Sequence, residues 1–230
     1  AAFRRVADLT RALQADGIAI RHLDLGGGLG IPYDTENPPL PDAYAELVAE
    51  TVGPLGLPIM LEPGRMIVGN AGVLLARTLY VKHGHEKRFA ILDAAMNDLI
   101  RPALYDGHHG IRPVREPGAE TPRLAYDVVG PVCESGDTFA VGREIPELKD
   151  GDLVAFGSAG AYGAVMASTY NSRLLVPEVL VNGDRYAVVR PRQTYEELLG
   201  LDRVPDWLAG EGDPISLAET EATPRQAAGA

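Results

Sequence analysis

Apolar residues recur at Phe3, Val6, Leu9 and Leu13, a spacing of three or four that predicts an amphipathic helix over 3–16 stopped by Asp16-Gly17. The run from Ile18 to Leu25 reads as a strand that feeds a glycine-rich loop. A second helical pattern, about Pro41 to Val52, is halted by Gly53-Pro54. The apolar stretch in LPIMLEPGR then reads as another buried strand, ended by a turn at Pro63-Gly64. Strand, helix and strand joined by short links form the grammar of a parallel βαβ unit.

After Arg65 the pattern changes. AGVLLARTLYVKHG, RFAILDAAM, RLAYDVVGPV, DTFAVG, DLVAFGSAG and RLLVPEVLVNGDRYAVVR are short β-rich runs. Turn signals separate them, among them Gly84-His85, Pro117-Gly118 and Asn182-Gly183-Asp184. This predicts an antiparallel β domain, closed by a short helix in QTYEELLGL. From about Gly210 the chain is small, polar and acidic, and a mobile tail is expected there.

Composition narrows the function. With 21 basic and 32 acidic residues the formal charge is −11. That argues against nucleic acid or an anionic membrane as the main partner. The single cysteine, Cys133, rules out an intrachain disulfide and points to a reducing, cytoplasmic setting. No apolar run approaches the roughly 20 residues of a membrane span. The N-terminus has no apolar core for a signal peptide and no initiator Met, so an internal start is expected.

Several groupings carry chemistry. Gly26 to Gly30 and the EPGR stretch, Glu62 to Arg65, lie about 35 residues apart, each at the end of a predicted parallel strand. A glycine cluster alone is equally well a turn. Paired in this way, the loops suit a phosphate held by main-chain N–H groups, with Arg65 adding charge. GPVCESGD puts a thiol, two carboxylates and a hydroxyl on one loop, around Cys133 and Glu134. A free cysteine is usually a small buried apolar residue, but these surroundings are polar. Arg101 and Tyr105, four apart, can present a guanidinium and a phenol to one ligand, or be a solvated charge and a core tyrosine. Small residues around Tyr162 permit close backbone approach. His108 and His109 are adjacent and read as solvent-exposed; His22, His83 and His85 read as structural, and no metal site is expected. Neither a G-x-S-x-G nor a P-loop is present.

Taken in order, HLDLGGGLGIPY, EPGRMIVGNAGVLL, DAAMNDLIRPALY, GPVCESGD, AGAYGAVMASTYNSR and RQTYEELL resemble the diaminopimelate decarboxylases. These are pyridoxal-phosphate-dependent decarboxylases with an alanine-racemase-like fold. The resemblance implies an α/β plus β architecture. Residues 1–68 would be the last β/α units of a (β/α)8 barrel that binds pyridoxal 5'-phosphate, 69–209 an antiparallel, barrel-like β domain, and 210–230 a flexible tail. It implies a homodimer with shared active sites that converts meso-2,6-diaminopimelate to L-lysine.

By the same resemblance, Gly27, Gly28, Gly30, Gly64 and Arg65 take the phosphate, and Glu62 faces the pyridine nitrogen and keeps it protonated. Arg65, Arg101 and Tyr105 hold the far end of the substrate, and Glu134 reads the distal amino group. Cys133 protonates the substrate carbon after decarboxylation, supplied across the dimer, and Tyr162 touches cofactor and substrate. The family's ornithine decarboxylases carry aspartate after the cysteine. Glu134 here favours diaminopimelate, with an ornithine- or arginine-type decarboxylase as the alternative.

The resemblance also implies a lysine at an early barrel strand that binds the cofactor covalently. Only Lys82, Lys87 and Lys149 are present, and none is at a barrel-strand end. A barrel needs about 250 residues, while 65 precede the β runs. The histidine that stacks on the cofactor ring in the family is missing as well. The expectation is therefore the C-terminal half of such an enzyme, inactive alone. A split enzyme or a non-catalytic dimerising partner of a full-length homologue are the other readings.

Overall fold

The computed structural model describes residues 1–205, 207 and 208. The tail expected over 210–230 lies outside the described residues. The chain divides into two compact units, Ala1–Arg173 and Leu174–Ala230.

The first unit opens with α1 (Ala2–Ala15). Its inward face is Phe3, Val6, Ala7 and Thr10, with the Thr10 hydroxyl donating to the Val6 carbonyl at 2.8 Å. Leu9, expected on that face, is 61% exposed. Thr10, with its hydroxyl satisfied by its own helix, occupies the buried position instead. β1 (Leu23–Asp24) pairs in parallel with β2 (Ile59–Met60), Leu23 opposite Ile59, and α2 (Pro41–Thr51) makes the crossover. Pro41 sits in the first turn of α2, where its missing N–H costs nothing. Ala7, Leu23, Val48 and Val52 form the small core of this βαβ unit, and Phe3 meets the Tyr44 ring edge-on at 5.6 Å.

The strand expected over Ile18–Leu25 is thus only two residues long. Main-chain bonds from Leu23 to Pro58 and from Leu25 to Met60 extend the pairing slightly, and residues 18–22 belong to no strand. A strand exists only where a neighbour completes its ladder, and β2 is equally short.

Beyond α3 (Gly64–Val68) the chain builds a six-stranded sheet. Its strands are β3 (Leu74–His83), β4 (Arg88–Leu92), β5 (Ile111–Pro113), β6 (Arg123–Val129), β7 (Thr138–Pro146) and β8 (Leu153–Phe156), in the order β5-β8-β3-β4-β6-β7. The edge strands β5 and β7 contact each other, so the sheet is nearly a closed barrel. Its core includes Leu92, Leu99, Tyr126, Val128, Phe139, Ile145, Val154 and Phe156. Tyr126 is buried with its hydroxyl accepting from the Leu148 N–H at 3.2 Å, which satisfies its one polar atom.

The all-antiparallel expectation fails at one ladder: β4 and β6 run parallel, Ala90 opposite Val128. The connection between them is long, carrying α4 (Arg101–Tyr105) and β5, and a parallel pair requires such a crossover. Neither α4 nor β5 is apparent in the sequence, since each is too short to show a period of its own.

In the second unit, β9 (Glu178–Asn182) and β10 (Arg185–Arg190) form the expected hairpin, turning at Gly183 with φ +62°. A capping box, Thr194 with Glu197, starts α5 (Tyr195–Leu199).

Candidate functional site

The glycine loop follows β1. The Gly26 N–H donates to the Asp24 carboxylate at 2.8 Å, and the Glu62 N–H donates to the Gly26 carbonyl at 2.8 Å. The two loops picked out by their sequence are therefore joined backbone to backbone. At Gly27 a Cβ would stand 2.5 Å from the Glu62 carbonyl oxygen, so only glycine lets them meet. Gly26 and Gly28 have left-handed backbones, φ +66° and +93°, and open space within 4 Å of where a Cβ would stand. Gly30 packs on Pro38. The result is an open strip of bare main chain beside Glu62 and Gly64, both exposed.

Arg65 stands on α3 with its guanidinium 5.4 Å from the Tyr162 ring centroid. The segment that brings Tyr162 there is pinned to α3 and its following turn. The Ala159 N–H donates to the Gly72 carbonyl at 2.8 Å and the Gly160 N–H to the Gly69 carbonyl at 3.0 Å. Any Cβ on Gly160 would collide with the Val68 carbonyl oxygen. Tyr162 itself has φ +57°, uncommon for a tyrosine. The glycine strip thus meets the Glu62 backbone, and Arg65, three residues on, meets Tyr162; bare main chain with a nearby guanidinium and phenol has the chemistry to hold a phosphate ester carrying a flat ring.

Arg101 heads a second group. It is buried, 8% exposed, at the start of α4. Its guanidinium lies 4.4 Å from the Tyr33 ring centroid and 5.9 Å from that of Tyr105, and Nη1 is 2.9 Å from Nε2 of His109. His109 is buried, at 2% exposure, contrary to the solvent-exposed loop expected for the His pair. Its carbonyl accepts from Arg143, its Nδ1 lies 2.9 Å from the Gly157 carbonyl, and its ring edge meets Tyr33. Burial, above all, pushes the His109 pKa below its ordinary value; Arg101, His108 and Arg143 push the same way and the Gly157 bond opposes them.

A third group is the Gly130–Asp137 loop. Asp137 is its buried hub, accepting from the N–H groups of Met96 at 2.7 Å and Val132 at 2.8 Å. Cys133 is exposed on this frame. Glu134 is exposed, with one oxygen accepting from the Gly136 N–H at 3.0 Å and the other from the Tyr170 hydroxyl at 3.3 Å.

One segment runs past all three groups. Tyr162 faces Arg65, Met166 accepts from the Tyr105 hydroxyl at 3.5 Å, and Tyr170 reaches Glu134. Asn97 holds the segment, its side-chain amide donating to the carbonyls of Ser168 and Tyr170. Sequence reading missed Tyr33, Met166, His109 and Tyr170. Tyr162, Met166 and Tyr170 do recur every fourth residue, but the segment is not a continuous helix and the spacing predicts nothing by itself.

The family model described as the C-terminal sheet domain of pyridoxal-dependent decarboxylases matches residues 6–160. The chain belongs to the pyridoxal-dependent decarboxylases. Within this family, it is 48% identical over 210 residues to a diaminopimelate decarboxylase of Zymomonas mobilis, covering 90% of this chain and 49% of that protein. It is 52% identical over 197 residues to that of Pseudomonas aeruginosa, covering 86% and 47%. The crystal structure of diaminopimelate decarboxylase from Helicobacter pylori complexed with L-lysine aligns with a TM-score of 0.80 at 42% identity, over 87% of this chain and 49% of that one. The chain spans about half the length of the relatives it matches.

None of the three lysines lies at the end of β1 or β2. Lys82 lies within β3, Lys87 pairs with Asp127 at 2.8 Å, and Lys149 lies in a turn with its N–H on Asp152. Among the described residues, no helix is long and apolar enough to cross a membrane.

Proposed function

We propose that these residues supply the C-terminal share of the active site of a diaminopimelate decarboxylase, which removes one carboxylate of meso-2,6-diaminopimelate as carbon dioxide and leaves L-lysine. The carrying observation is Arg101. It is a buried cation whose side-chain partners among the described residues are an imidazole nitrogen and two tyrosine rings. A buried guanidinium is costly without an anion, and a carboxylate accepts two parallel N–H bonds from it. Glu134 supplies the opposite charge for an ammonium group. A substrate with an amine and a carboxylate at its far end satisfies both. The relatives named diaminopimelate decarboxylase support the same choice.

The glycine strip fits pyridoxal 5'-phosphate. Gly27, Gly28, Gly30 and Gly64 give main-chain N–H groups to the phosphate, and Arg65 adds its charge. When bound, the cofactor supplies the electron sink that takes up the electrons of the breaking carbon–carbon bond. Glu62 holds the proton on the ring nitrogen. Tyr162 lies on Arg65 where cofactor and substrate meet, and Tyr105 assists Arg101. Cys133, exposed on its loop, delivers a proton to the substrate carbon after carbon dioxide leaves. In this reading Cys133 and Glu134 serve the site of a second subunit in a homodimer. Residues 1–68 are the last β/α units of a (β/α)8 barrel and 69–209 the sheet domain, and the covalent lysine belongs to a part of the enzyme outside residues 1–230.

The test is product analysis on the complete enzyme that carries these residues, supplied with pyridoxal phosphate. The expected outcome is one lysine formed per carbon dioxide released from meso-diaminopimelate. Preference for ornithine or arginine, or no release at all, would contradict the proposal.

A further inference from the structure

His109 is not required by the roles above, yet it is among the largest fully buried side chains. Its place depends on how α4 ends. Asp106 takes a left-handed conformation, φ 53°, and the Gly107 N–H bonds to the Arg101 carbonyl at 3.1 Å. The chain therefore folds back, and His109 meets the residue eight positions before it. The Gly157 oxygen, 2.9 Å from Nδ1, is a carbonyl and can only accept, so Nδ1 carries the proton. A neutral ring then presents a lone pair at Nε2, and Arg101 Nη1, 2.9 Å away, can only donate. The tautomer is fixed from both sides. In the perpendicular direction the Tyr33 ring stacks on the guanidinium, and the His109 ring braces Tyr33 edge-on at 5.4 Å between centroids. Arg101 is thus held by an imidazole at Nη1 and by a phenol on its face, and among the described residues no further hydrogen-bond partner takes its other N–H groups.

We infer that neutral His109 is a positioning residue: with Tyr33 it orients the Arg101 guanidinium toward the substrate carboxylate, and protonating it releases that grip. The inference rests on the reading of Arg101 as the carboxylate-binding group. A protonated His109 would point an N–H at an N–H and place two cations in contact. The charged and titratable groups around it are Arg101 from α4, Arg143 from β7 and the neighbouring His108. Asp34, next to Tyr33 in the chain, interacts electrostatically with Arg143 and favours its charge. The surroundings oppose a further positive charge, so the neutral ring persists below the ordinary histidine range. Substrate binding weakens only as the pH falls further.

The test uses the complete enzyme and has two readouts. Nitrogen-15 NMR of the His109 ring reads the tautomer without any turnover: a protonated Nδ1 with an accepting Nε2 is expected, and the opposite tautomer overturns the inference. Steady-state kinetics then compare His109→Leu with His109→Gln, whose carboxamide can donate to Gly157 and accept from Arg101. His109→Leu should raise KM for diaminopimelate about tenfold or more with kcat little changed, the scale of one charge-assisted hydrogen bond. His109→Gln should recover KM to within about threefold and lose the rise of KM in acid, because a carboxamide does not titrate. Should His109→Leu not fold, the acid limb of His109→Gln still decides: a limb unchanged from the parent overturns the clamp. An enzyme that takes no diaminopimelate overturns the substrate reading, and the tautomer judges His109 separately.

Discussion

Lys87 Nζ stands 2.8 Å from the Asp127 carboxylate, whose other oxygen accepts from the Gly142 N–H at 2.8 Å. Asp127 is nearly buried while Lys87 is more than half exposed, at 10% and 58% of the side chain. The pair stitches the start of β4 to β6 and β7. It also occupies the Lys87 amine with a carboxylate partner.

Replacing Asp127 by Ala strands the Gly142 N–H and should cost about 2 kcal/mol in urea unfolding at pH 7. Burial raises the Asp127 pKa, but the Lys87 and Gly142 bonds outweigh it and leave the folded value below the ordinary 3.8. The stabilisation is therefore complete above the unfolded carboxylate pKa and is lost as the pH falls through the lowered folded value. The gap between parent and Asp127→Ala should narrow as the pH falls below about 4, by the charge-dependent part alone, since the stranded Gly142 N–H does not titrate; a gap that does not narrow contradicts the assignment.

Gly160→Ala probes how Tyr162 is delivered. The added methyl meets the Val68 carbonyl, a backbone atom that cannot turn aside. A loss of about 1–3 kcal/mol is expected, together with weaker binding of pyridoxal phosphate by the complete enzyme. Unchanged melting and cofactor affinity would show that this contact does not place the tyrosine.

Cys133 is the single thiol of the chain and is exposed. In the complete enzyme, Cys133→Ala should lower kcat by well over tenfold while KM moves little, since general acid transfer contributes on the order of a hundredfold or more. An unchanged kcat would remove the proton-donor role.

Glu134 is aimed by the Tyr170 hydroxyl and the Gly136 N–H. Glu134→Asp shortens the reach and should raise KM for diaminopimelate. Tyr170→Phe, which frees one carboxylate oxygen, should do so by less, about two- to fivefold. Equal effects, or none, would show that the carboxylate does not read the distal amine.

Much of the fold is legible in the chain because it is local. The β-rich runs around Leu74–His83 and Arg123–Val129, set off by turn signals, announce strands, and the glycines of Gly26 to Gly30 announce an open loop. That Gly27 touches Glu62 is only implied by their strand ends, and the parallel pairing of β1 with β2 makes it a contact. The Arg101 clamp is not legible. Tyr33, Arg101, His109 and Gly157 form no periodic pattern along the chain; tertiary folding alone makes them neighbours. His109 misleads because a histidine pair in a Gly-flanked loop resembles solvent-facing chain, while the fold at Asp106 and Gly107 turns that loop inward. The strand expected from Ile18 is overdrawn because an apolar run does not reveal how much of a partner strand it will find.

The proposed function divides the labour: residues of this chain would grip the phosphate and the substrate, and the covalent lysine would come from another part of the enzyme. Borohydride reduction of the complete, cofactor-loaded enzyme, followed by peptide mapping, tests that division most directly. The predicted result is a single pyridoxyl-lysine in a peptide outside residues 1–230; a stoichiometric label on Lys82, Lys87 or Lys149 would contradict it.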